Sequence, residues 1–178
     1  MVHTGAGMVG AITTFGRIPG VLRPAIGVPY LGLRPDTFLL DASANVDCKP
    51  EYLAQFGVMG SVYAERVLGI PNPTVALLTN GREDNKGDEL TKAAFALLKN
   101  SGVNFIGNIE GYDLPRGTAH VVVADGMLGN VALKLSETLG EELMAWLAAC
   151  ITDPGSRAIV AQAHALVDYA AIGAMPLA

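Results

Sequence analysis

The sequence predicts an α/β protein of three layers, a mostly parallel sheet with helices on both faces. Short apolar runs of strand length stop at an acidic or polar residue: Phe38-Leu39-Leu40 before Asp41, Thr74–Leu78 before Thr79, His120–Ala124 before Asp125. Each run leads through a loop of small and polar residues into a segment whose apolar residues recur at helical spacing. Alternation of buried strand, loop and helix implies crossover connections and parallel neighbours.

Taken in order, residues 1–16 are small and apolar and read as a Gly-rich helix start with Thr4 as N-cap, ending over Gly16–Gly20. Arg23–Val28 reads as a short strand. Tyr30–Asp36 is loop, with Pro29 and Pro35 as punctuation. Phe38–Leu40 fits a central strand, and Pro50 suits a first helical turn. Glu51–Leu68 is a helix with Leu53, Phe56, Met59 or Gly60, Tyr63 and Val67 inward; Gly69 stands at C′, and Pro71 and Pro73 forbid continuation. Thr74–Leu78 is a buried strand running into the polar loop Thr79–Gly87. Asp88–Asn100 is a helix with Leu90, Ala93, Ala94, Leu97 and Leu98 on one face, Asp88 and Glu89 at its positive end, Lys99 at its negative end and Gly102 closing it. Counted from Phe38–Leu40, Asn104–Ile109 is the third strand, Glu110–Gly117 a loop, and His120–Ala124 the fourth strand. A loop over Gly126–Gly129 then feeds a long helix from Asn130 to about Cys150. Asp153-Pro154-Gly155 breaks it, and Ser156–Tyr169 is a further helix. Residues 1–178 read as a single, partial α/β domain with a helical excursion over about 131–170.

The bulk numbers exclude some function classes. Hydrophobic residues make up 51% and the mean hydropathy is +0.37, which calls for fully buried strands or an apolar face for a partner or membrane. A net charge of −5 argues against non-specific nucleic-acid binding. Cys48 and Cys150 lie far apart without metal spacing and read as reduced thiols; nothing near Cys48 in sequence lowers its pKa for a nucleophilic role. His3, His120 and His164 show no ligand spacing, so no metal or cofactor is expected. No secretory signal is visible at the start, and the longest apolar run, Leu143–Ile151, is well short of a membrane span. No G-x-G-x-x-G follows a strand, which weakens a dehydrogenase reading.

Three loops, Asp41–Asp47, Thr79–Gly87 and Asp125–Asn130, are expected to gather at one sheet edge. Each precedes a helix N-terminus, where N–H groups and the helix dipole favour an anion. Asp41 and Asp125 read equally well as strand-end carboxylates capping neighbouring N–H groups. At these loops the sequence resembles a known family. Ala44–Pro50 (ANVDCKP), Gln55–Pro73 (QFGVMGSVYAERVLGIPNP), Asn85–Lys92 (NKGDELTK), Asn104–Gly111 (NFIGNIEG) and Asp125–Lys134 (DGMLGNVALK) are similar to the bacterial PlsX-type phosphate acyltransferases, as is Gly16–Ile26 (GRIPGVLRPAI). The likeness runs from about Thr4 to Leu177. Family members are longer at both ends, so the sequence reads as a fragment. It departs from the family pattern at His3, at Ser43, and over Thr79-Asn80-Gly81-Arg82-Glu83.

The resemblance implies transfer of a fatty acyl group from acyl carrier protein to inorganic phosphate, giving acyl phosphate for phospholipid synthesis. It also implies a fold similar to isocitrate and isopropylmalate dehydrogenases and to phosphotransacetylase, a homodimer, and a cytoplasmic location with weak peripheral contact to the inner membrane face. Phosphate is then itself the nucleophile, so no Ser-His-Asp or Cys-His arrangement is required; the protein holds the anion, aligns it and stabilises the oxyanion. On this resemblance Lys86, beside Gly87, is a phosphate contact. Asn130 with Gly126 and Gly129 cradles phosphate or the oxyanion, Asn45 orients a ligand oxygen, and Asp41, Asp47 and Asp125 position these donors. The stripe Leu143–Leu147 reads either as membrane-facing or as packed in a dimer core. A coenzyme A-dependent phosphotransacylase, and a non-catalytic dimerisation or membrane-docking fragment, are the competing readings.

Overall fold

A computed structural model of the chain describes residues 10, 12–14, 16–30, 37–165 and 175–177. The expected Thr4 cap, most of the Tyr30–Asp36 loop and the end of the last helix at Tyr169 lie outside them; Gly10 and residues 12–14 are helical. The elements are β1 (Ala25–Pro29), β2 (Phe38–Leu40), α1 (Pro50–Arg66), β3 (Thr74–Leu78), α2 (Glu89–Lys99), β4 (Asn104–Ile109), a 3₁₀ turn (Gly111–Asp113), β5 (Val121–Val123), α3 (Gly126–Cys150), α4 (Pro154–Ala165) and β6 (Met175–Leu177).

The strands form one mixed sheet in the order β4-β3-β5-β2-β1-β6. The pairs β2/β5, β3/β5 and β3/β4 are parallel, whereas β1 runs antiparallel to both β2 and β6. The antiparallel β1/β2 step has a simple cause. Residues 30–37 are too few for a crossover, which takes about a dozen residues or more, so the chain turns back beside itself. From β2 onward every connection carries a helix or a long loop, and β2, β3, β4 and β5 all point the same way.

The sheet is covered on both faces. On one, α1 and α2 pack Leu53, Phe56, Ala64, Ala94, Phe95 and Leu98 against Phe38, Leu40, Val75, Leu77, Val121 and Val123. On the other, Leu114, Ala119 and Leu133 cover Ile26, Val28, Leu39, Ala76, Leu78, Ile109 and Val122. Adjacent residues of each central strand thus serve opposite cores, which is why these strands are apolar throughout.

Helix faces differ from expectation in detail. In α1 the inward residue of the Met59/Gly60 pair is Gly60, Val67 is exposed, and Gly57 is buried as well. The cause is close approach: a Cβ at Gly57 would lie 2.5 Å from Leu98 Cδ2, and one at Gly60 2.5 Å from Val121 Cγ1. In α2 the buried residues are Thr91, Ala94, Phe95 and Leu98, while Ala93 and Leu97 face out, because Phe95 stacks edge-on against Phe105 of β4, 5.1 Å between centroids. The largest revision is at α3. Gly126–Gly129 is not a loop but the first turn of the helix, capped by Asp125.

Candidate functional site

Because β2, β5, β3 and β4 are parallel and adjacent, their C-terminal ends share one edge of the sheet. Ligands of open α/β sheets sit at such edges.

At the end of β2 the fully buried Asp41 organises the loop. Its Oδ1 accepts from the backbone N–H groups of Ile26 (2.9 Å), Ser43 (3.2 Å) and Ala44 (3.0 Å), and its Oδ2 from Asn45 N (2.7 Å) and Asn45 Nδ2 (2.8 Å). Asn45 Nδ2 also donates to the Pro24 carbonyl at 2.7 Å. Both amide hydrogens of Asn45 are therefore engaged inside the protein. Asp47 is exposed. Cys48 donates from Sγ to the Asn45 carbonyl at 3.3 Å, and burial pushes its thiol up to about 11, aided by the charges of Asp41, Asp125 and Asp47 and opposed by the Gly126 backbone. A thiol so held is protonated near neutral pH and is no nucleophile.

At the end of β5, Asp125 Oδ1 accepts from Met127 N (2.8 Å) and Leu128 N (2.9 Å), the standard device for the unpaired N–H groups of a helix start. Gly126 N donates to the Asn45 carbonyl at 2.7 Å and Gly129 N to the Asp125 carbonyl at 2.9 Å. The first-turn amides expected to cradle an anion are thus engaged by protein. The glycines have another reason to be there. A Cβ at Gly126 would lie 2.7 Å from the Asn45 carbonyl oxygen, and one at Gly129 would overlap the Asp41 carbonyl. They let the Asp41–Asn45 backbone cross the start of α3. Asn130 follows, half-buried.

At the end of β3 the loop Thr79–Gly87 is closed by its own polar atoms. Thr79 Oγ1 donates to the Gly81 carbonyl (2.6 Å), Lys86 N to the Glu83 carbonyl (3.0 Å), and Gly87 N to Asn80 Oδ1 (3.0 Å). Lys86 is exposed, and its stem lies over Gly81, where a Cβ would come within 2.7 Å of Lys86 Cγ. Gly87 has φ +93° and its position abuts Thr91 Oγ1, so glycine answers both the backbone and the space. Asp88 caps α2 through Thr91 N at 2.8 Å, and these Thr91 bonds hold its carboxyl below the usual range.

The loops of β2 and β5 touch directly, and the lysine loop leaves the strand on the other side of β5. Asn108, which the sequence reading passed over, belongs beside them. It is buried at the end of β4 and donates from Nδ2 to the Glu83 carbonyl at 2.8 Å. A polar residue late in an apolar strand was its one signal. Next to it Arg82 donates to the buried Asp113 Oδ1 at 2.6 Å, tying the β3 and β4 loops together. Among the described residues no group of three or more His, Cys, Asp and Glu is placed to hold a metal, and no helix is long and apolar enough to cross a membrane.

Fold and edge together define an open α/β protein whose fold is shared by two solved phosphotransacetylases. The EutD phosphotransacetylase from Staphylococcus aureus superposes with a TM-score of 0.57 over 73% of this chain and 46% of its own, at 20% identity. A phosphotransacetylase from Streptococcus pyogenes gives 0.56 over 78% and 49%, at 19% identity. The chain belongs to the fatty acid synthesis protein family, whose model matches residues 2–173. Similar proteins named phosphate acyltransferase are found in Elusimicrobium minutum, 52% identical over 79% of this chain and 41% of that protein, and in Pelotomaculum thermopropionicum, 47% identical over 98% and 53%. The chain spans about half the length of these relatives.

Proposed function

We propose that this chain carries the phosphate-handling edge of a phosphate acyltransferase, which moves a fatty acyl group from acyl carrier protein to inorganic phosphate. The observation that carries the reading is the adjacency of the β2, β5 and β3 ends, with Asn45 and Lys86 in the loops after β2 and β3 and Asn130 just past the first turn of α3 after β5. The name shared by relatives at up to 52% identity supports it. Phosphate oxygen attacks the thioester carbonyl carbon, the C–S bond breaks from the tetrahedral intermediate, and the sulfur leaves as a thiol with the proton of hydrogen phosphate. Lys86 neutralises the anion, and Asn130 donates to phosphate or to the oxyanion; such a donor is typically worth about 3 kcal/mol. The carboxamide oxygen of Asn45 accepts from a phosphate hydroxyl. Asp41 and Asp125 act through the backbone they hold, Gly126 and Gly129 let the two loops interlock, and Gly87 sets the lysine turn. In this reading residues 1–178 form one α/β unit with α3 and α4 as an excursion from it.

A second reading has an observation of its own. Val131, Leu135, Leu139, Leu143 and Trp146 lie exposed along one side of α3. They suit a non-catalytic module that dimerises or lies on a membrane. Arg157 is the one Lys or Arg after Lys134, so attraction to anionic lipid is weak and the homodimer is the better occupant. Phosphate-dependent loss of palmitoyl-acyl carrier protein thioester separates the readings. The chain is expected to turn over, and Lys86→Ala to lower kcat/KM by about a hundredfold. A folded chain without turnover, indifferent to Lys86→Ala, favours the second.

A further inference from the structure

We propose that Asn108 is a positioning residue that fixes the Lys86 turn for phosphate, and that β4 contains an extra residue in order to aim it there. The phosphate part rests on the function proposed above; the geometry does not.

Two independent observations converge. The first is the bond already described. The Glu83 carbonyl accepts from Lys86 N at 3.0 Å and from Asn108 Nδ2 at 2.8 Å, so one acceptor joins the lysine turn to the floor of the sheet. Asn108 is 6% exposed, so this bond is shielded from water on the strand side. Its Oδ1 is buried and has no partner in the structure. A buried carboxamide oxygen left without a partner is a cost that an apolar residue would avoid. The amide is therefore kept for what its Nδ2 does.

The second is the register of β4 on β3. Val75 pairs with Phe105, but Ala76 pairs with Gly107, Leu77 with Asn108 and Leu78 with Ile109. Ile106 is the extra residue, half-exposed, and Gly107 absorbs the irregularity at φ +100°. Bulges are rare between parallel strands and serve to re-aim side chains. Here the effect is definite. With the bulge Asn108 shares a face with Val75 and Leu77, the face that carries α1 and α2 and the entry to the lysine loop. Without it Asn108 would pair with Leu78 and turn to the opposite core, which is apolar. A one-residue slip moves a side chain to the other face of a sheet, so the bulge decides whether Asn108 reaches Glu83.

The test is amide exchange of the chain by NMR, combined with titration of inorganic phosphate. Asn108→Ala is expected to speed exchange of the Lys86 amide by about tenfold, with the Val75–Leu78 amides unchanged, and to raise the phosphate KM by a similar factor with kcat preserved. Should Asn108→Ala not fold, Asn108→Ser carries the same test, since its hydroxyl leaves a smaller void and is too short to span to Glu83. An unchanged Lys86 amide and unchanged phosphate affinity, with Lys86→Ala still weakening phosphate, overturns this inference and leaves the proposed function standing. If Lys86→Ala also has no effect on phosphate, the proposed function falls, and the exchange rate alone decides whether Asn108 holds the turn.

Discussion

Asp41 is a buried carboxylate that, among the described residues, makes no salt bridge and is held by N–H donors. Asp41→Asn would put an NH₂ group against N–H groups that have nowhere else to turn. It is expected to lower unfolding free energy by at least about 3 kcal/mol, since hydrogen bonds to a charged group are worth roughly 1.5–3 kcal/mol each; a urea midpoint within error of the parent would refute this. Cys48 and Cys150 offer a contrast in reactivity. With the Cys48 thiol pushed up to about 11, about one in a thousand is ionised at pH 8, while Cys150 is exposed. Iodoacetamide at pH 8 should modify Cys150 alone until the chain is unfolded, as peptide mass mapping would report. Sequence spoke to these residues unevenly. An aspartate ending an apolar run announces itself, but that Asn45 spends its hydrogens on Pro24 and Asp41 depends on a fold-back from β1 that local pattern does not contain.

At the scale of elements, Asp88 shows how a cap becomes a pH effect. Its folded pKa is depressed, chiefly by the Thr91 N–H and hydroxyl. It therefore contributes stability that is present above its unfolded value of about 3.9 and is lost as pH falls through the lower folded value. Asp88→Ala should cost about 1 kcal/mol at pH 7 and flatten the stability curve below pH 4; an equal acid slope in both proteins would exclude this role. The interlock of α3 with the β2 loop gives a sharper expectation. Gly129→Ala must displace the Asp41 carbonyl and Gly126→Ala the Asn45 backbone, and neither can yield by a rotamer change. Both should lower the melting temperature, Gly129→Ala more. The same crossing explains why the α3 start reads as loop in the sequence: its glycines answer a backbone that comes from elsewhere in the chain. By contrast α1, β3 and α2 were legible nearly to the residue, because periodicity, Gly69 and the prolines around it are local signals. The bulge at Ile106 leaves no such mark.

For the whole molecule, the parallel core from β2 to β5 was legible in the alternation of elements, whereas the antiparallel β1 was not, although the shortness of residues 30–37 could have revealed it. The exposed side of α3 is where the molecule as a whole looks unfinished. On the homodimer proposal, Leu139→Glu should convert dimer to monomer in sedimentation velocity at micromolar concentration without altering the far-UV spectrum. A parent chain that sediments as a monomer would sink that proposal. The strand order has a temporal side too. Thr74 meets Asn104 across one helix, but Phe38 has no parallel neighbour until Val121 arrives. During synthesis the β3–α2–β4 unit can close early, while the acid-tipped β2, paired with β1 on one edge, keeps its other edge open until β5 is made. Translation speed and chaperone access before Val121 emerges should therefore govern the yield of this protein more than its final stability does.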